Sequence, residues 1–145
     1  MGSWDVGEGV VEFPDGRRVR GRGLRRKPAD GPDPDFGVYL VGRDPRIKDW
    51  PYRWVRWRDF RLPDSTADAL DALREANQRA VSERVEIACG GGVGRTGTAL
   101  SVLAILSGIP ADDAVAWVRK HYHRRAVETR QQRRWISKVS TSLKP

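Results

Sequence analysis

Val85-Glu86-Ile87-Ala88-Cys89-Gly90-Gly91-Gly92-Val93-Gly94-Arg95-Thr96-Gly97 holds the chain's single cysteine at the end of an apolar, strand-like run. A glycine-rich loop follows it, then Arg95 and Thr96, then a long apolar segment of helical character. Each part has a chemical use. A thiol becomes a good nucleophile when its pKa is lowered, and the positive end of a helix does that. Consecutive glycines let backbone N–H groups turn inward around an anion without Cβ clashes. A guanidinium offers a planar fork that matches two phosphate oxygens. A threonine hydroxyl beside the sulfur can bond it and ease its departure as a leaving group. The stretch describes a cradle for a phosphate group with a nucleophile beneath it.

Cys-x5-Arg-Thr resembles the signature loop of the cysteine-dependent protein tyrosine phosphatase superfamily, in particular its small single-domain, tyrosine- and dual-specificity-like members of bacterial kind. The resemblance puts Cys89 at the nucleophile, Arg95 at the phosphate-binding arginine and Thr96 at the hydroxyl residue. Gly90, Gly91, Gly92, Val93 and Gly94 then supply the backbone amides of the phosphate site. The chain has Ala88 where the family usually has His.

Phosphate-ester cleavage also needs an acid for the departing oxygen. Trp57-Arg58-Asp59-Phe60-Arg61-Leu62-Pro63 resembles the family's mobile acid loop, with Asp59 as the acid, Trp57 as the hinge and Arg58 in place of a proline. Asp64 competes for that role, but a charge at a helix N-terminus explains it. Val127-Glu128-Thr129-Arg130-Gln131-Gln132 resembles the family's water-positioning glutamine segment, with Glu128 replacing a glutamine and Gln132 at the water-positioning place. Thr129 and Gln132 equally form a capping box, and Gln131 is an alternative. Tyr39, Tyr52, Phe60 and Trp135 are candidate pocket walls.

Along the chain, Val10–Phe13 and Arg17–Arg20 flank Pro14-Asp15-Gly16 and read as a hairpin. Pro28–Asp35 reads as a loop, Phe36–Val41 and Tyr52–Trp57 as strands, and Arg84–Ala88 as the strand feeding the glycine loop. Ser65 caps a helix carrying Ala69, Leu70, Leu73, Ala76 and Ala80. Further helices run over Thr96–Ser107, from Pro110 to about His121, and after Thr129. Strand–helix alternation gives an α/β domain. The resemblance implies a central mixed, mostly parallel sheet flanked by helices. One phosphatase domain over 1–145 is expected, with an N-terminal hairpin at 9–24 and a catalytic core over about 36–145; the resemblance itself is carried by Trp54 to Trp135.

The 145 residues include 27 Lys and Arg against 19 Asp and Glu, for a net charge of +8. Arg17–Lys27 and Arg119–Arg134 carry much of the excess. Attraction to an acidic phosphoprotein or phosphopeptide fits this charge, and so does a plain solvated basic surface. No nucleic-acid recognition motif accompanies it. One cysteine forms no internal disulfide and fits a reducing, cytoplasmic setting. The charged, glycine-rich start lacks a leader's apolar region, and the apolar run at Thr98–Ile109 is too short to span a bilayer. His121 and His123, two apart at a helix end, share no face and have no cysteine or carboxylate cluster beside them, so no metal or other cofactor is expected. The function expected is metal-independent hydrolysis of phosphotyrosine, with phosphoserine or phosphothreonine as further substrates, through a phosphocysteine. The alternatives are the same chemistry on a phosphoinositide or an RNA 5′-triphosphate, and a phospho-binding pseudophosphatase without turnover.

Overall fold

The computed structural model describes residues 3–27 and 31–143; Pro28, Ala29 and Asp30 of the expected 28–35 loop lie outside the described residues. Five strands, β1 (Val10–Glu12), β2 (Arg18–Gly23), β3 (Phe36–Val41), β4 (Tyr52–Arg56) and β5 (Val85–Cys89), form one sheet in the order β1-β2-β5-β3-β4. Only β1 runs antiparallel, joined to β2 through the Pro14-Asp15-Gly16 turn with Val11 opposite Val19. The other contacts are parallel, so the sheet is mixed and mostly parallel, as expected.

Helix α1 (Thr66–Arg79) connects β4 to β5, and α2 (Gly94–Leu106), α3 (Ala111–His121) and α4 (Arg130–Ser140) follow β5. Ser65 caps α1 by accepting from the Asp68 N–H at 3.1 Å. Pro110 stands just before α3, where a missing N–H costs nothing. Helix α2 starts two residues earlier than the sequence predicts. The end of the glycine loop already takes the helical turn, with the Gly97 N–H donating to the Val93 carbonyl at 2.8 Å.

Side chains alternate across a strand, so β5 divides its residues between two environments. Val85, Ile87 and Cys89 face the helices together with Val19, Val38, Leu40 and Val55, and these form the apolar core with Leu73, Leu100 and Leu103. The helices flank the sheet on that face. Arg53 of β4, on the same face, reaches Asp68, Asp71 and Glu75 of α1 at 3.0–3.1 Å.

The opposite face carries Arg20, Arg22, Tyr39, Glu86 and Ala88. Glu86 is fully buried in an otherwise apolar strand, and a buried carboxylate is stable there only if it is paired. Its Oε1 accepts from Arg20 Nη2 and Arg22 Nε, both at 2.7 Å, and its Oε2 from Arg22 Nη2 at 3.1 Å and the Tyr39 hydroxyl at 2.8 Å. Trp50 Nε1 donates in turn to Tyr39, and Arg20 lies over the Trp4 ring. Burial pushes the Glu86 carboxyl upward, but Arg22, then Arg20 and Tyr39, outweigh it and hold the group below its ordinary value of 4.5. In register, Ala88 lies between Arg22 and Tyr39, so a histidine ring at this position would compete with both side chains for space.

The Glu86 network joins β2, β5 and β3, and removing the carboxylate leaves two arginines without their counter-charge. Glu86→Ala is expected to destabilise the fold by about 3–5 kcal/mol, read from urea denaturation. Because the folded carboxyl titrates below its unfolded value, its contribution is full above pH 4.5 and is lost as pH falls below that value. The difference between wild type and variant is therefore expected to shrink in that acid window.

Candidate active site

The loop between β5 and α2 closes around the cysteine sulfur. Cys89 is 2% exposed, and its Sγ accepts from the Thr96 hydroxyl at 3.0 Å and the Gly92 N–H at 3.2 Å. Gly92 has φ of +77°, and a Cβ there would stand 2.5 Å from the Gly23 nitrogen, so both its conformation and its contact with β2 require glycine. Its carbonyl accepts from the Tyr122 hydroxyl at 2.5 Å. Burial, and then the nearness of Cys89, hold that hydroxyl protonated well above its usual range, which keeps it a donor. The N–H groups of Gly90, Gly91 and Val93 have no acceptor among the described residues. Val93 caps α2 without a side-chain bond, so the first-turn amides of this helix add further donors at the same place.

Arg95 is 5% exposed. Its Nη1 donates to the Trp57 carbonyl at 2.9 Å, and its Nη2 lies 3.5 Å from Asp59 Oδ1. Its Nε has no hydrogen-bond partner among the described residues. Thus the loop arginine and the acid-loop aspartate, 36 positions apart in the chain, meet directly. Glu128 packs its carboxylate against Gly94, and any side chain at that position would collide with it. The carboxylate therefore sits at the positive end of α2.

The loop over residues 57–63, the expected acid loop, is anchored at both ends. The Trp57 N–H donates to the Val41 carbonyl at 3.0 Å, and Trp57 bridges to Pro63 across the loop. Trp57 is fully buried, lies edge-on to Trp135 at 5.5 Å, and donates through Nε1 to the Arg61 carbonyl at 2.7 Å. Between these anchors Phe60 turns into positive φ, at 61°, and leaves its ring 57% exposed. Arg58 and Arg56 point to Asp64, at 3.8 and 3.5 Å, which accounts for Asp64 without catalysis.

Gln132 is fully buried, and its amide is committed. Its Oε1 accepts from the N–H groups of Glu128 and Thr129 at 3.0 and 3.2 Å, while Thr129 Oγ1 accepts from the Gln132 N–H at 3.1 Å. The capping box is therefore present. Gln132 Nε2 also donates to the Arg61 carbonyl at 3.4 Å, the atom that Trp57 holds, so α4 and the acid loop share one anchor point.

Of the candidate walls, Phe60 follows Asp59 in the chain and leaves its ring exposed. Tyr39 lies on the far face of the sheet with Glu86, Tyr52 bonds Asp44 at 2.5 Å, and Trp135 packs behind Trp57. His121 stacks on Trp117 at 4.2 Å, and His123 accepts from the Arg125 N–H at 3.0 Å. Among the described residues no group of three metal-ligating side chains forms.

Sequence reading missed Arg25 and Tyr122. The Leu24 N–H donates to the Cys89 carbonyl at 2.8 Å and the Arg25 N–H to the Gly90 carbonyl at 3.1 Å, which ties the turn after β2 to the glycine loop. Arg25 Nη2 then lies 3.9 Å from Asp59 Oδ2. The arginine cluster was visible in the sequence, but the pairing of β2 with a strand more than sixty positions away was not.

A family model described as protein-tyrosine phosphatase matches residues 37–141. The chain belongs to the protein-tyrosine phosphatase family. It is similar to the crystal structure of Tk-PTP in the active form, with a TM-score of 0.70 and 26% identity over 90% of this chain and 96% of that one. Kinase associated phosphatase, in a form with its catalytic-site cysteine replaced by serine, shares the fold at a TM-score of 0.63 and 18% identity, over 75% of this chain and 69% of that one. An uncharacterized protein of Methanocaldococcus jannaschii is 35% identical over 88 residues, which are 59% of this chain and 53% of that protein. The chain spans about half the length of the curated relatives it matches.

Because the Gln132 amide caps α4 and also holds the acid loop, Gln132→Ala is expected to lower stability by about 1–3 kcal/mol in urea denaturation. Gln132→Glu keeps the accepting oxygens and is expected to lose less.

Proposed function

We propose that the chain is a metal-independent phosphatase that hydrolyses phosphotyrosine in proteins through a phosphocysteine intermediate. One observation carries this reading: a buried sulfur held by Thr96 and Gly92 lies at the floor of a ring of backbone donors, with Arg95 linking that floor to Asp59.

The Cys89 thiolate attacks phosphorus in line, and the bond from phosphorus to the tyrosine oxygen breaks. Arg95 turns its free donors to two of the equatorial oxygens while the loop amides bond the third, so the developing charge meets preorganised dipoles. Asp59, in its acid form, gives its proton to the departing phenolate. A water molecule then attacks the phosphocysteine, Asp59 takes one of its protons, and the sulfur leaves as a thiolate that Thr96 and Gly92 stabilise. Gln132, buried beneath the acid loop, acts through its bond to the Arg61 carbonyl and positions the loop that carries Asp59. Exposed Phe60 offers a flat apolar wall for an aryl ring, which favours phosphotyrosine over a short phosphoserine. A second reading keeps the chemistry but changes the substrate. Arg25 adds a second guanidinium beside Asp59, and that extra charge suits a substrate with several phosphates, such as an inositol phosphate or an RNA 5′-triphosphate.

Phosphate release should be measured in EDTA with reductant, from phosphotyrosine peptide, phosphoserine peptide, inositol phosphates and triphosphate RNA. Release from the tyrosine peptide that is lost in Cys89→Ser is the expected result. Release confined to the polyphosphates would move the assignment to the second reading, and turnover retained by Cys89→Ser would overturn the mechanism. Asp59→Asn is expected to slow phosphotyrosine hydrolysis by about 10²–10⁴-fold and to matter much less for an ester whose leaving group needs no proton. Equal losses on both esters would remove Asp59 from the acid role.

A further inference from the structure

A cavity of about 250 Å³ does not contain Cys89 or Arg95. It lies beside β2, on the flank of the glycine loop, against Gly91, Gly92 and Val93. Four basic side chains line it: Arg20, Arg22, Arg26 and Lys27. Their counter-charges are Glu8, which also lines the cavity, and Glu86, which binds Arg20 and Arg22 from within the sheet. Cations therefore exceed anions. Arg26 and Lys27 form no ion pair among the described residues, and Arg20, 95% buried, leaves its Nε without a hydrogen-bond partner. Tyr122 and His123 close the opposite wall.

We infer that this cavity is a second anion site that takes one phosphoryl group. The volume is below the roughly 300 Å³ at which pockets for drug-sized ligands begin, which suits a small group. Guanidinium and ammonium donors at the rim match tetrahedral oxygens, which a carboxylate would fill less completely. The turn after β2 serves both sites. Arg25 points to Asp59, while its neighbours Arg26 and Lys27 face the cavity. The wall between the sites is the Gly92 peptide, whose N–H bonds the Cys89 sulfur and whose carbonyl accepts from Tyr122. The group bound there comes either from free phosphate or from a second phosphate on the substrate of the neighbouring site. Binding at the cavity stands apart from whether Cys89 turns over.

Inorganic phosphate titrated into the whole chain, followed by amide and histidine-ring NMR, tests the site. Saturable shifts at Gly91, Tyr122 and His123 are expected, with no matching response to chloride at equal ionic strength. Arg26→Ala/Lys27→Ala removes two exposed side chains and leaves the core intact. It is expected to weaken this response roughly tenfold, the loss of about one charge-assisted contact, while shifts at Asp59 and Phe60 persist. In a Cys89→Ser background, a doubly phosphorylated peptide that binds roughly tenfold tighter than its singly phosphorylated form, only with Arg26 and Lys27 present, assigns the cavity to a second phosphate of the substrate. Equal binding of the two peptides, with the phosphate shifts intact, assigns it to the free ion. Absence of saturable shifts at Tyr122 and His123, or shifts unchanged in the double variant, would overturn the inference.

Discussion

The Gly92 peptide is held from both sides, and the shape of the glycine loop depends on it. Its N–H bonds the Cys89 sulfur at 3.2 Å, and its carbonyl accepts from Tyr122 at 2.5 Å. A loop of glycines has no side chains to fix it and a large conformational entropy to lose. Tyr122, at the end of α3, supplies part of the missing constraint, and contact with Gly23 of β2 supplies more. A backbone ring can bind an anion well only if its N–H groups already point inward before the anion arrives. In this chain the ordering comes from the end of β2 on one side and a helix end on the other.

That strand is fixed in turn by Glu86. A carboxylate buried in the central strand is costly unless its partners are in place, and those partners come from both neighbouring strands. The pairing sets β2 beside β5, and the hydrogen bonds of Leu24 and Arg25 then continue the same contact past the end of the strand to the glycine loop. One buried charge thus locks the register of the strand that ends in Cys89. The acid loop is tied in by a different route. The Arg61 carbonyl receives both Trp57 and Gln132, and the Trp57 carbonyl receives Arg95. The glycine loop, the 57–63 loop and α4 therefore form one hydrogen-bonded unit.

Much of this was legible in the sequence because the cues are local. The Pro14-Asp15-Gly16 turn, the Ser65 cap, Pro110 and the Thr129–Gln132 box each carry their own stereochemical reason, and the structure has an element boundary at each. Placing Cys89 beside Thr96 needed only the short loop between them. Side-chain direction was harder to read. Phe36–Val41 is nearly all apolar and buried on both faces, so its sequence has no alternation to show that Tyr39 faces Glu86 and not the catalytic mouth. Strand order was hidden for a related reason: parallel pairing joins segments far apart in the chain, and nothing near Arg20 or Arg22 names Glu86 as their partner. Glu86 itself was the available clue, since a charge inside an apolar strand demands a partner. Gln132 shows a third case: local spacing fits both a capping role and the expected site role, and the structure shows the cap together with a bond to the Arg61 carbonyl.

The central claim is that the buried sulfur of Cys89 becomes phosphorylated during turnover. Rapid acid quench of the enzyme with phosphotyrosine peptide, followed by mass spectrometry of the digested protein, tests this directly. One phosphoryl group on the peptide holding Cys89, appearing within a single turnover and decaying as phosphate is released, is the expected result. Phosphate release with no phosphoryl adduct on that peptide at any time, even in variants chosen to slow the second step, would contradict it.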